Sequence, residues 1–250
     1  MYILLFICLI LLYCYCKNKV LESFNNTKPK VVVVVPCIPK HLDHLPGLFK
    51  SINQQTLHPV KVIVTLSETN NYDCKRFEMM YRPHLESYIE LKFNCIDCKN
   101  NSAENRNRAI SNYEGIDFIS YIDADDEMCP NRLKRMTDLM IQHNADMGLH
   151  SFDDGVNQRC ETGNRVILAP EMRKIEKKNN KTLHISSIQV HHGHSMIKPK
   201  VIQNVKQDPK FGYGEDSKFV REVIRKGYDV VYTDDKLSHY YFKRSATFGK

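Results

Sequence analysis

The chain has 250 residues, 42% hydrophobic and 26% charged, with a formal net charge of +7. This length suits one domain with a full core, or such a domain plus a short appendage, and the composition is that of an ordinary globular protein. Lys and Arg are spread along the chain with no run dense enough for a nucleic-acid arm, so nucleic acid is not expected as a partner; the mild basicity suits an anionic substrate, an anionic membrane face or solubility alone.

Residues 1–16 are uncharged and mainly apolar, and Lys17 and Lys19 follow. A membrane span needs about 20 apolar residues, so this run is short and sits between an anchor and a signal h-region. It lacks a basic n-region, and Tyr13-Cys14-Tyr15-Cys16 is too bulky for a small-x-small cleavage site. The expectation is an uncleaved single-pass anchor over 1–16, a polar stem over 17–29 and one domain over 30–250, with secretion following only if the first segment is cleaved. Lys17 and Lys19 would place the domain in the cytosol by the positive-inside rule. The sequons Asn25-Asn26-Thr27, Asn100-Asn101-Ser102 and Asn180-Lys181-Thr182 favour the lumen, and the two signals conflict. Cys14 and Cys16 are candidates for palmitoylation. Cys95-Ile96-Asp97-Cys98 has metal or redox spacing, but no second C-x-x-C completes a zinc site. Free thiols, or one or two disulfides in a lumenal setting, are expected instead.

Val31–Val35 reads as a buried parallel-type strand stopped by Pro36, which cannot donate to a ladder. A helix then opens near Asp43 with Leu45, Leu48, Phe49 and Ile52 on one face, and residues 60–66 form a second strand. Residues 74–90 are partly helical, ahead of a weak strand at 91–95. Residues 102–113 have helical length, yet Asn105, Arg106, Asn107 and Arg108 stand where a core helix would carry leucines. That segment either lies on the surface or turns one side to a polar ligand. Leu133, Met136, Leu139 and Met140 form a helical stripe, followed by a short strand over 146–152. Residues 153–180 read as a long polar loop, functional or disordered by its length. Residues 184–196 look extended, with His191-His192-Gly193-His194 expected on a surface strand. A last helix carries Phe219, Val220, Val223 and Ile224 on one face, stops at Gly227, and leads into a strand at 229–232. Strands alternating with helices predict an α/β fold, a mostly parallel central sheet with helices on both faces. Ligands in such sheets sit beyond the C-terminal strand ends.

The segment Ile116–Asp126 concentrates the chemistry. Residues 116–122 are rich in aromatic and β-branched types and read as a buried strand, which runs into Asp123, Asp125 and Asp126. Carboxylates packed at a strand mouth repel one another and call for a compensating charge. A hard divalent cation, Mn²⁺ or Mg²⁺, supplies it and keeps substrate phosphates among its ligands. The plain alternative is an acidic loop capping the next helix.

Together, the valine strand ending in Pro36, the strand ending Thr65-Leu66-Ser67, Ala103-Glu104-Asn105-Arg106-Asn107, and Tyr121-Ile122-Asp123-Ala124-Asp125-Asp126 resemble the inverting family 2 glycosyltransferases of the GT-A fold. Gly214-Glu215-Asp216, followed by a helix and Gly227-Tyr228, is similar to that family's Glu-Asp motif. The resemblance covers roughly residues 30–245. It implies transfer of a sugar, with inversion, from a nucleoside-diphosphate-sugar donor to a hydroxyl on a glycan, protein or lipid acceptor. It further implies that Pro36, Ser67, Glu68, Arg106, Asp123 and Ala124 line the nucleotide-sugar pocket, and that Asp123 and Asp125 hold the metal with His239 as the C-terminal histidine ligand. His191, His192 and His194 compete with His239 for that place. Asp216 is implied as the catalytic base with Glu215 beside it, although both residues also suit simple N-capping. At residues 66–69, Leu-Ser-Glu-Thr replaces the family's Asp-Asp-Gly-Ser.

Two rivals remain from the sequence. A nucleotidyltransferase would show a glycine-rich phosphate loop after the first strand, where this chain has Pro36-Cys37-Ile38-Pro39. An inactive glycan- or protein-binding descendant would be expected to lose Asp125 or Asp216, and both are present.

Overall fold

The structure, a computed structural model, describes residues 28–70, 73–178, 191–210 and 214–241. Residues 1–16, where the anchor is expected, and most of the stem lie outside them. Among the described residues no helix is long and apolar enough to cross a membrane.

One nine-stranded sheet organises the chain. β1 (Val31–Cys37), β2 (Lys61–Leu66), β3 (Glu90–Cys95) and β4 (Phe118–Tyr121) pair in parallel in the order β3-β2-β1-β4. Beyond β4 come β8 (Met196–Ile197), β6 (Met147–Asp153), β9 (Val230–His239) and β5 (Glu127–Met128), with β7 (Val166–Ile167) also on β9. β8 runs antiparallel to both neighbours, β5 and β7 run antiparallel to β9, and β6 and β9 are parallel. The sheet is therefore mixed rather than mostly parallel. The antiparallel pieces are two residues long, too short to leave an alternation pattern in the sequence.

The valine run shows why helices cover both faces. Side chains alternate along a strand. Val31, Val33 and Val35 pack with α1 (Leu45–Asn53) and α4 (Arg132–Gln142) through Leu48, Phe49, Leu133 and Met136. Val32 and Val34 pack against the other layer, α6 (Pro199–Asn204) and α7 (Glu215–Arg225), through Val201, Phe219, Val220 and Val223. Burying each valine contributes roughly 1.5–3 kcal/mol, so a strand with no polar face is what a doubly covered position selects.

β1 does not stop at Pro36 but continues through Cys37, with Pro36 opposite Thr65. Ile122 N donates to Val34 O, so even-numbered residues of β1 point towards β4, whereas Cys37 O accepts from Ser67 N on the β2 side. The β4 pairing ends at Val34, hence the N–H that Pro36 lacks would have met no ladder partner.

Three further expectations change. The helix expected over 102–113 is α3 (Ser102–Asn107), six residues long. Residues 153–180 are not a single loop: they contain β7 and α5 (Ala169–Lys178), whose Met172 is fully buried. His192–His194 is a turn of 3-10 helix rather than a surface strand, and His194 is completely buried. Between β2 and β3 lies α2 (Asp73–Tyr81), joined to β3 by the Cys74–Cys95 disulfide; a second disulfide links Cys129 to Cys160.

Candidate active site

β1, β2 and β4 end side by side at Cys37, Leu66 and Tyr121, and the polar residues that follow them converge there. After β4 the chain folds back at once, with Asp126 N bonded to Asp123 O at 3.2 Å. This turn separates the acids. Asp123 stays partly exposed and its Oδ1 meets Arg106 Nη2 at 2.5 Å. Asp125 is buried beside the end of β1, where burial and then the Asp125 charge push the Cys37 thiol up. Asp126 is fully committed: Oδ2 is 2.9 Å from His194 Nε2, and Oδ1 accepts from Tyr241 N at 2.8 Å.

α3 explains the polar run that looked out of place in a core helix. A reciprocal capping box starts it, Asn101 Oδ1 accepting from Glu104 N and Glu104 Oε2 from Asn101 N. Each following side chain is then spent on a different strand end or loop. Asn105 donates to Cys37 O and to Ser67 Oγ at 3.2 Å. Asn107 exchanges two bonds with the backbone of Gln207. Arg108 donates to Leu66 O and Asn94 O, both at 3.0 Å. Arg106 itself is 3% exposed and touches Gln207 Oε1 as well as Asp123. It is a buried residue paired with the strand-end acid, not a surface one. Burial works against its charge, but Asp123, Asp216 and Glu215 outweigh it and hold the guanidinium protonated.

The fourth wall comes from β8. Its antiparallel register sets Ile119 against Ile197 and Ser120 against Met196, and Tyr121 N donates to Ser195 O. Continued by the same rule, that register sets Gly193 across from Asp123. A Cβ at Gly193 would lie 2.9 Å from Arg106 Nη2 and 3.3 Å from Asp123 Oδ2, so the absence of a side chain lets the turn close over the ion pair. The turn carries His191 and His194, whose rings stack at 3.9 Å. Ligand atoms of Asp123, Asp126, His191 and His194 all lie within 4.8 Å of one another. Burial keeps the His191 ring neutral against the pull of Asp123 and Asp216. Beneath the turn, Arg132 is 1% exposed and donates to Tyr121 O and His194 O, both at 2.7 Å, tying the acidic strand end to the histidine turn.

Glu215 and Asp216 open α7 after Gly214, whose φ of 80° is left-handed backbone suited to glycine. Glu215 Oε1 accepts a hydrogen bond from Ser102 Oγ and lies 4.0 Å from Arg106 Nη1. Asp216 Oδ1 accepts from Ser217 N, and its charge acts on both Arg106 and His191.

Of the remaining residues singled out from the sequence, Pro36, Ser67 and Ala124 are buried at the strand ends, and Glu68 is exposed beside them with φ 61°. His239 is elsewhere. Its Nε2 faces the Cys129–Cys160 disulfide, 3.8 and 3.5 Å from the two sulfurs. The expected histidine of the acidic cluster is replaced there by His191, because β8 rather than the end of β9 runs alongside β4. Sequence reasoning named His191 and His194 only as competitors and missed Arg132 and Gln207. The His-His-Gly-His spacing was the available signal; Arg132 left none.

A mixed sheet with strand-end acids, an arginine beside them and a Glu-Asp helix start defines a GT-A-type transferase architecture. Glycosyl transferase family 2 matches residues 32–205, well over half of the chain, and the chain belongs to that family of glycosyltransferases. An uncharacterized glycosyltransferase of Methanocaldococcus jannaschii is 25% identical over 218 residues, covering 85% of this chain and 71% of that protein. Among solved structures, S. aureus TarS superposes with a TM-score of 0.62 at 18% identity, covering 85% of this chain and 36% of that one. TarS 1–349 in complex with UDP-GlcNAc gives 0.61 at 19% identity, with 85% and 58% covered. At these identities the structures establish the shared fold, and this chain spans between about a third and three fifths of their length.

Proposed function

We propose that the chain transfers a sugar from a nucleoside-diphosphate-sugar to a hydroxyl acceptor with inversion, using Asp216 as the base. The observation that carries this reading is the convergence of Asp123, Arg106, Glu215 and Asp216 from three separate segments on the strand-end cleft. Inversion needs one base, placed opposite the leaving group. Asp216 would take the proton of the acceptor hydroxyl as its oxygen attacks the anomeric carbon. The bond to the nucleoside diphosphate breaks on the far side, and the proton passes from Asp216 to solvent. Glu215, tied to Ser102 and near Arg106, would hold the guanidinium against the donor side. TarS was crystallised with UDP and with UDP-GlcNAc, which makes a uridine nucleotide the first donor to test here.

The residues fit a divalent ion. His191 Nδ1 is buried with no hydrogen-bond partner among the described residues, next to a carboxylate, and oxygen donors with an imidazole suit Mn²⁺. When bound, such an ion neutralises charge on the departing diphosphate. Asp123 and His191, whose ligand atoms lie within 4.8 Å of each other, would hold it, since both oxygens of Asp126 are engaged by His194 and Tyr241; Asp125 lies outside that cluster and would join as the third ligand that the family resemblance implies.

Calorimetry with UDP, with and without Mn²⁺, tests the ligand set. Asp125→Ala should abolish metal-dependent binding, while Asp126→Ala should weaken it only through the displaced histidine turn. Asp216→Ala should bind donor normally and lose transfer by roughly 10²–10⁴-fold. Wild-type transfer by Asp216→Ala would remove the base assignment, and UDP binding indifferent to metal would remove the ion. The nucleotidyltransferase reading gains nothing from the structure: β1 ends in Pro36-Cys37 without a glycine-rich turn.

A further inference from the structure

A second cluster of ligating side chains lies outside the cleft. The end of β5, the end of β9 and the segment after β6 meet there through three backbone constraints: Glu127 opposite His239, Asp153 opposite His239, and Cys129 N bonded to Leu237 O. They bring Cys129, Cys160 and His239 together with all ligand atoms within 4.8 Å. Cys129 and His239 are buried, whereas Cys160 is exposed.

We propose that Cys129, Cys160 and His239 form a redox-gated zinc site, occupied by a disulfide when oxidised and by Zn²⁺ when reduced. The argument is geometric. With zinc–sulfur bonds of about 2.3 Å and zinc–nitrogen bonds of about 2.05 Å, a tetrahedral ion separates nitrogen from sulfur by about 3.6 Å. His239 Nε2 already stands 3.5 Å from Cys160 Sγ and 3.8 Å from Cys129 Sγ. Only the two sulfurs need to part, and Cys160 is exposed, while Glu161 beside it stays bridged to Lys236 of β9 and keeps the cysteine next to His239. On the other side of the ring, His239 Nδ1 is buried without a hydrogen-bond partner among the described residues and lies 3.8 Å from Asp153 Oδ1, so a small ring shift on metal binding would bring that carboxylate into position to orient it. Two thiolates with one imidazole select zinc over the hard ion suited to the carboxylate cleft. The fourth position is open to water.

The chemistry balances with a dithiol or phosphine reductant. The reductant delivers two electrons to the sulfur–sulfur bond and is itself oxidised, and two protons from water or the dithiol make two thiols. On binding Zn²⁺ each thiol releases its proton to solvent, so uptake is favoured at higher pH. In either state the segment carrying Cys160 stays tied to the strand that follows Asp126, in an oxidising or a reducing compartment. The inference does not rest on the transferase reading.

Cobalt(II) is the probe, since thiolate coordination gives a near-ultraviolet charge-transfer band and intense visible bands that an oxygen–imidazole site lacks. Full-length protein reduced with a phosphine and titrated with Co²⁺ should develop those bands at one equivalent and lose them on adding Zn²⁺; unreduced protein should not. Cys160→Ser, at an exposed position, and His239→Ala should each abolish the tetrahedral thiolate spectrum, whereas Asp123→Ala should retain it. No thiolate band in the reduced wild type, or its persistence in Cys160→Ser or His239→Ala, would overturn the proposal.

Discussion

Glu68 occupies left-handed backbone, φ 61°, where the resembling motif has glycine. An L-residue there costs about 1–2 kcal/mol, and glycine's extra entropy loss on folding returns about 0.5–1 kcal/mol of that. Glu68→Gly should therefore raise stability by roughly 0.5–1 kcal/mol in urea titration. If its carboxylate contacts the donor, KM for the nucleotide-sugar should rise in the same variant, so the two readouts separate backbone from binding. Arg106 poses the opposite case. Removing Asp123 leaves the guanidinium with Glu215 and Asp216, but removing Arg106 leaves three carboxylates facing one another in a partly dry cleft. Breaking a buried pair costs about 3–5 kcal/mol when nothing else compensates. Arg106→Ala should approach that range and Asp123→Ala fall well short of it; equal losses in thermal unfolding would contradict the charge arrangement. The arginine and the acids were legible as residues of interest. Their pairing was not, since nothing local relates positions 17 apart across a helix, a loop and a strand.

Among the elements, α7 was read correctly to its end and α5 was not read at all, for one reason. α7 has a continuous apolar stripe, Phe219, Val220, Val223 and Ile224, closed by Gly227. α5 buries Met172, packs the half-buried Ile175 against the same layer and turns inward the carboxylate of Glu176, which reaches Arg221 and Arg225 of α7. Two apolar positions, with a charged group completing the inward face, leave a shorter hydrophobic period than the four of α7. Gly227 offers a clean test of the stop signal. Its φ is 86° and a Cβ there would meet nothing within 4 Å, so Gly227→Ala carries backbone strain alone. It should cost about 1–2 kcal/mol in chemical denaturation, and no loss would show that the turn relaxes. α3 gives the complementary lesson. Its polar residues argued for either a surface or a ligand-facing helix, and the structure gives a third role to two of the four, Asn105 and Arg108, which brace the ends of β1, β2 and β3 by hydrogen bonds.

For the molecule as a whole, buried imidazoles make stability depend on pH. Burial lowers His41 from 6.5 to about 4, and lowers His150, bonded to Arg132 Nε, well below its usual value. The folded pKa values lie below the unfolded ones, so between about pH 6.5 and 4 the unfolded chain binds protons that the folded chain does not. The contribution is complete above pH 6.5 and is lost as pH falls through that window. Urea midpoints should drop between pH 7.5 and 5, and His41→Asn should flatten the slope; a midpoint that rises on acidification would contradict the burial argument. By itself the sequence determined the alternation of strands and helices, the doubly buried valine strand and the acidic strand end, because these follow from periodicity and residue type over a few neighbours. Only the tertiary structure decided that β8 runs antiparallel beside β4, that His194 meets Asp126 from 68 residues away, and that His239 faces a disulfide instead of the cleft. Those outcomes depend on which short segments pair and in what register, and a two-residue strand carries no pattern that fixes its partner.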